Sequence, residues 1–511
     1  GTHRLNPDGT KMLDSGGDPI PTYDQQVVEG LAHVFTGWDY AYDVTGYNPS
    51  RLNPWYDTTY AFASSPYTPK RHIPEYINPM LPVAERHFTG TKRILNNVVL
   101  PGLTTAAGSP LLPYVTPTSG QIADTNFQAL PNAELDATLD AIFNHPNCGP
   151  FICRQLIQRL VTSHPTDDYV YRVASKFEND GSNVRGNMAA VVKQILMDPE
   201  ARSGSSLTAI DGFGKQREPM LRFTAFSRAF PSLEYTGTTP VWVNQWKMGQ
   251  TSFTRFSHQE NINQTPMGSP SVFNFFRPDY RYPGILADAG LTTPEFQLTT
   301  DTSVIDQANF LHNALINWGS SPAQGLVSFL TSKRDILLDL RPWMASTSNA
   351  NLSGLIDELN NRLMAGQLPS TGTNVYHPAG SRSIVNAKQA LIDFIGSKGI
   401  SAISAPGAGN ITVTTSTAHG LTNGEKIFFN ADVGGSFTPS LHAGYPRPSF
   451  TVTVTGANTF TIPATRAADP PWSPLNLTNG AISHLPYDTP YDRMVYLLVT
   501  MVNTPDFIIQ R

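Results

Sequence analysis

Apolar residues recur along most of the chain with the spacing of helices. Val27, Val28, Leu31, Val34 and Phe35 share one face, between Thr22 and Gln25, which have the form of a capping box, and Gly37-Trp38, which ends the run. Leu135, Leu139, Ile142 and Phe143 make a second stripe over 132–143, stopped by His145-Pro146. A third helix is expected from about Pro150 to Ser163. It would bury Phe151, Ile152, Leu156, Ile157, Leu160 and Val161, with Arg154, Gln155, Gln158 and Arg159 on its other side. Tyr169 to Phe177, Met188 to Met197, and Pro219 (a first-turn proline) to Phe230 follow the same rule. Another helix is expected from Thr293-Pro294-Glu295, with Ile305, Ala308, Leu311 and Leu315 inward, and three more at 354–365, 384–396 and 491–503.

Between about 401 and 485 the period drops from 3.6 to 2. Ile411 to Thr415, Phe450 to Thr455 and Thr459 to Ile462 alternate apolar and polar residues, bounded by turn signals at Gly420, Asn423-Gly424 and Gly456-Ala457-Asn458. β-branched Thr and Val on alternate faces suit a half-buried sheet or barrel. The pattern as a whole predicts a mainly α fold: a multi-helix body with long ordered loops over 1–400, a small inserted all-β module at 401–485, and a C-terminal helix in 486–511 returning to the body. Asn6-Pro7-Asp8-Gly9 and Asp14-Ser15-Gly16-Gly17-Asp18-Pro19 supply two turns near the start, so the chain is expected to open on a hairpin, in mid-domain.

Composition sharpens this. Charged residues are 15% of 511, well below the roughly 25% of an average soluble domain, while 39 Gly and 42 Pro indicate a loop-rich molecule. A net charge of −5 argues against a nucleic-acid partner. No apolar run approaches the ~18 residues of a membrane span. The stretch 38–67 holds nine aromatic residues in thirty. Among them Trp38, Tyr47, Trp55, Tyr56 and Tyr60 are candidate contacts for a protein partner or a glycan, because Trp and Tyr offer large contact area at low entropic cost. The simpler reading is that they pin a long loop to the helical body.

Reactive chemistry is sparse. The closest two of twelve histidines, His72 and His87, are fifteen residues apart, so no His-based zinc motif is present. No nucleophile elbow, phosphate-binding loop or dinucleotide fingerprint occurs. No catalytic, metal or cofactor-binding residue can be nominated from spacing alone. Cys148 and Cys153 are the only cysteines, and a turn placing Cys148 ahead of the helix that holds Cys153 would let them pair as a disulfide.

Several stretches resemble one large bacterial family, catalogued as domain of unknown function eighteen hundred. They are Phe35-Thr36-Gly37-Trp38, His145 to Phe151, Gln155 to Ser163, Asp198 to Arg202, Gly214 to Pro219, Ser269 to Pro278 and Asn503 to Arg511. The resemblance implies a helical, exported bacterial protein, with a preceding helical half upstream that would stay associated as a partner. It carries over no catalytic residue. Where the family often shows paired histidines with an acid, this chain has Arg86-His87-Phe88-Thr89-Gly90-Thr91-Lys92. Ile411 to Thr414, Ala418 to Gly424 and Thr453 to Ile462 resemble a β domain named after the first catalytic-cysteine half of ubiquitin-activating enzymes. No cysteine lies there, so the resemblance implies binding or spacing and no thioester chemistry. The expectation is a non-enzymatic surface or extracellular component of a larger assembly; an exported polymer hydrolase and a glycan-binding protein are the alternatives.

Overall fold

A computed structural model describes residues 2–39, 41–42, 74–75, 79–82, 84–103, 125–203, 212–236, 239–242, 263–264, 268–316, 326–328, 336–372, 374–376, 382–407, 409–430, 433–442, 447–469, 473–478, 480–485 and 489–510. The chain divides into two compact units, one of Gly1–Leu160 with Pro165–Leu207, the other of Val161–His164 with Thr208–Arg511.

The first unit opens on an irregular hairpin bridged at His3 to Pro21, Leu5 to Lys11 and Leu13 to Pro19. Helix α1 (Gln25–Val34) follows, but its cap is Asp24, whose carboxylate accepts from Val27 N, and not the expected Thr22. Gly30 on α1 lies against the Arg93 backbone, and a methyl there would run into the Arg93 carbonyl. This close approach brings the strand Lys92–Arg93 onto the helix. Helix α2 (Thr125–Phe143) carries Pro131 inside it. Its buried face is Phe127, Pro131, Glu134, Thr138 and Ala141, while Leu139, Ile142 and Phe143 of the expected core stripe are 51%, 38% and 40% exposed. The expected face is therefore the wrong one. Helices α3 (Cys148–Leu160), α4 (Asp167–Glu178) and α5 (Met188–Met197) pack in succession, with Ile157, Val170, Val173, Val191 and Ile195 wholly buried. Thr166 and Asn187 cap α4 and α5.

The second unit has a helical core and a barrel. Phe223, Phe226 and Phe230 in and just beyond α6 (Pro219–Arg228) share one cluster with Leu355, Ile356, Leu359 and Leu363 of α8 (Leu352–Met364), Leu391 and Ile395 of α9 (Ala387–Ile395), and Met494, Leu497, Leu498 and Met501 of α10 (Pro490–Val502). Thr293-Pro294-Glu295 begins only a short 3-10 turn, Pro294–Leu298; the helix itself, α7 (Asp301–Ile316), starts later and leaves Ile305 62% exposed. After the barrel, Arg493 of α10 donates to the Thr347 carbonyl, Asn349 Oδ1 and Ser397 Oγ, which fastens the returning chain to the residue just ahead of the first barrel strand.

The strands are β1 (Lys398–Ile403), β2 (Ile411–Thr415), β3 (Lys426–Phe429), β4 (Phe450–Thr451), β5 (Thr453–Val454), β6 (Thr459–Ile462) and β7 (Ala481–Ser483). They form one antiparallel ladder of seven in the order β4-β3-β7-β1-β2-β6-β5. Its two end strands are consecutive in sequence with only Val452 between them, so the ladder returns on itself and nearly closes into a barrel. The near-closure leaves only two-residue strands at the open edges. Ile411, Val413, Ile427, Phe429, Phe460 and Ile462 fill its interior at 2% exposure or less. A separate four-stranded sheet joins Leu326–Ser328, Ile336–Asp339, Ser232–Thr236 and Thr239–Trp242. These sheets overturn the expectation of a mainly α fold with a small β module. The fold is mixed; β3 and β7 are only four and three residues long, and β1 shows no clean alternation, its burial running against the period-2 pattern at Ser401 and Ala402.

Candidate functional site

Polar chemistry gathers at three places. In the first unit, Glu134 on the buried face of α2 meets His87 and Lys92. Glu134 accepts from Lys92 Nζ at 2.8 Å on Oε1 and 2.6 Å on Oε2, and lies 2.9 Å from His87 Nε2. The other ring nitrogen, Nδ1, is 2.9 Å from the Thr36 carbonyl, and Lys92 also donates to the Phe88 carbonyl. All three residues are 6% exposed or less. Burial pushes the Lys92 ammonium below its ordinary value, and Glu134 opposes this. The motif Arg86 to Lys92 thus does hold a histidine beside an acid, but the acid comes from α2. Among the described residues no three His, Cys, Asp or Glu side chains are arranged to hold a metal.

In the second unit, Ser163 Oγ donates to Glu295 Oε2 at 2.6 Å, and Lys215 Nζ lies 3.2 Å from Glu295 Oε1. The segments carrying them are tied together by backbone: Ser163 N donates to the Gly214 carbonyl, Thr162 Oγ1 accepts from Gly214 N, and Lys215 pairs with Gln510. A hydroxyl on a carboxylate beside an ammonium contains the groups of nucleophilic catalysis. Yet Ser163, Glu295 and Lys215 are only 5%, 1% and 3% exposed, so the hydroxyl is shut off from solvent in this structure. Both triads are buried struts joining distant segments.

The third place is a cavity of about 480 Å³ in the first unit, between the hairpin and helices α3 and α4. Asn147 builds it: its side chain accepts from Leu5 N and donates to the His3 carbonyl and Thr22 Oγ1, which holds the hairpin over the loop that enters α3. Arg4, Asn6, Asn96, His145, Ser175 and Glu178 supply its polar lining. His145 Nδ1 accepts from Asn147 N, leaving Nε2 without a hydrogen bond. Burial, with Arg4 adding to it, lowers the His145 pKa, so the ring is neutral at pH 7. The cavity offers a guanidinium, amides and a neutral imidazole to a small polar ligand.

Cys148 and Cys153 are free thiols, Cys148 half-buried and Cys153 wholly buried. The expected bridge fails because Cys148 is already helical. Five residues along an α-helix separate Cα atoms by roughly 8–9 Å and turn the side chains well apart, beyond the ~7 Å limit of a disulfide. Burial raises both thiols, Cys153 to about 12. Of the aromatic candidates, Trp38 is half-buried with its Nε1 unpaired, in a strand that pairs with Leu81–Pro82. Tyr47, Trp55, Tyr56 and Tyr60 lie outside the described residues. Glu134, Glu295 and Lys215 were not singled out from the sequence; a lone charge on a helix or turn has no local signal of its partner.

The family model described as protein of unknown function (DUF1800) matches residues 12–399. The chain belongs to that family. The match ends as the barrel begins, and nothing else that matches bears on the barrel's resemblance to the ubiquitin-activating half-domain. No curated protein and no solved structure matches. Among the described residues no helix is long and apolar enough to cross a membrane.

Proposed function

We propose that this protein is an exported, non-enzymatic component of a larger assembly. The observation that carries the reading is helix α2. Glu134 and Thr138 on one side are buried, while Leu139 and Ile142 on the other stand 51% and 38% exposed, with half-buried Leu135 in line one turn before them. An apolar line facing water at i, i+4, i+7 spacing is the form of a helix that docks onto a partner. In the second unit the stretch 271–285 supports the same reading: it is anchored by buried Phe276 and by Tyr282 N donating to Thr293 Oγ1, and it holds Val272 96% and Ile285 87% exposed. The proposed partner class, a helical polypeptide, and the proposed export rest on what the family resemblance implies.

Light scattering on the particle isolated from its natural source tests this. A mass well above that of its own polypeptide, measured on the same sample under denaturing conditions, is expected, and Leu139→Asp with Ile142→Asp brings it down to the single chain. A particle of one chain's mass without the substitutions contradicts the proposal. The cavity at His145 favours a second reading, a binder of small polar ligands, in which Arg4 holds an acidic group and Asn147 keeps the hairpin closed over it.

A further inference from the structure

Among the described residues of the second unit, one buried guanidinium stands without a carboxylate partner. Arg222 lies on the inner face of α6, next to Phe223 and one turn before Phe226, and is 7% exposed. Its Nη2 donates to Gln307 Oε1 on α7. Among the described residues no carboxylate pairs with it, its Nε is buried without a hydrogen bond, and Gln307 Nε2 is a second buried donor in the same condition. Because the Arg222–Gln307 hydrogen bond joins the two side chains, the two empty donors stand within a side chain's breadth of each other. Arg217 adds to the positive charge. It is spent on the Leu363 carbonyl and the Phe507 ring, with no carboxylate partner among the described residues. The nearest acid on α6's own N-terminal side, Glu218, is engaged by Gln264, which also caps Met220 N.

Buried charges in folded proteins are paired or ligated, and buried donors are hydrogen-bonded. A guanidinium with an unbonded Nε–H near an unbonded amide N–H₂ suits the oxygens of a planar or tetrahedral oxyanion. We propose that Arg222 and Gln307 form a binding site for an oxyanion, a phosphate or a carboxylate, that completes the packing of α6 against α7. Desolvation lowers the Arg222 pKa to about 10, with Arg217 adding to it, which is the electrostatic state an incoming anion relieves.

The test is the thermal unfolding midpoint of the full chain in inorganic phosphate, in acetate and in chloride at matched ionic strength. Phosphate or acetate is expected to raise the midpoint above chloride, and whichever of the two does so identifies the source of the oxyanion. The rise is lost in Arg222→Met, whose midpoint in chloride is equal to or above that of the unsubstituted chain, because the uncompensated charge has gone. Gln307→Leu keeps the guanidinium and is expected to need at least tenfold more anion for half the effect. It serves as the deciding variant should Arg222→Met fail to fold. Equal midpoints in all three salts, or an undiminished rise in either variant, overturn the proposal.

Discussion

Glu134 shows how much one side chain can hold and how little of that is visible along the chain. His87 and Lys92 stand in one short motif, but their acid is 42 residues beyond Lys92, on a helix whose apolar stripe points the other way. Removing one partner of a buried ion pair leaves the other charged and dry, at a cost of about 3–5 kcal/mol. Glu134→Gln and Lys92→Met should each lose stability on that scale in denaturant unfolding, and the double substitution should recover part of it. Single-variant losses that simply add would show that the two do not act as a pair. The cysteines give a second expectation. Since burial raises both thiols, Cys153 to about 12, neither should react appreciably with iodoacetamide in the native protein near neutral pH. Both should react in denaturant without reductant; a protein that stays unlabelled there has its sulfurs bridged. The five-residue spacing was legible in the sequence, but not the helical start at Cys148 that keeps the sulfurs apart.

Helices were the most legible elements, because 3.6-residue periodicity and caps are local properties. α5, α8 and α10 lie within a few residues of their expected ranges. Which face turns inward was less legible: in α2 the inner face carries Pro131, Glu134 and Thr138, a choice made by Lys92 from another segment. In the barrel the clean alternation of Ile411 to Thr415 showed through, whereas β1, β3 and β7 are strands because their neighbours pair with them, a non-local cause. His419 links the barrel to pH. Its Nδ1 accepts from Leu421 N and its Nε2 faces the Gly456 carbonyl, an arrangement that requires the neutral ring. Burial depresses its pKa below the ordinary 6.5, outweighing the carbonyl hydrogen bonds that raise it. The unfolded chain therefore takes up a proton at a pH where the folded barrel refuses it, and stability falls as pH drops below about 6.5. His419→Asn, which keeps an acceptor for Leu421 N, should flatten the unfolding midpoint between pH 6.5 and 5. An unchanged slope would assign the acid sensitivity elsewhere.

Among the described residues, both acid–base triads are sealed inside while several large apolar side chains face water. Ser163, Glu295 and Lys215 are as inaccessible as core leucines, and Leu139, Val272 and Ile285 are not. That inversion is what the proposed role as an assembly component rests on. The membership of residues 12–399 in a family of unknown function was legible in motifs spread along the chain, but motifs that stabilise a fold do not disclose a partner. The most direct measurement places a thiol on the exposed line of α2. Leu139→Cys should react rapidly with iodoacetamide in the purified chain, against the slow background of Cys148 and Cys153, and should be protected in the particle isolated from its natural source. Equal rates in the two would mean that nothing covers this helix.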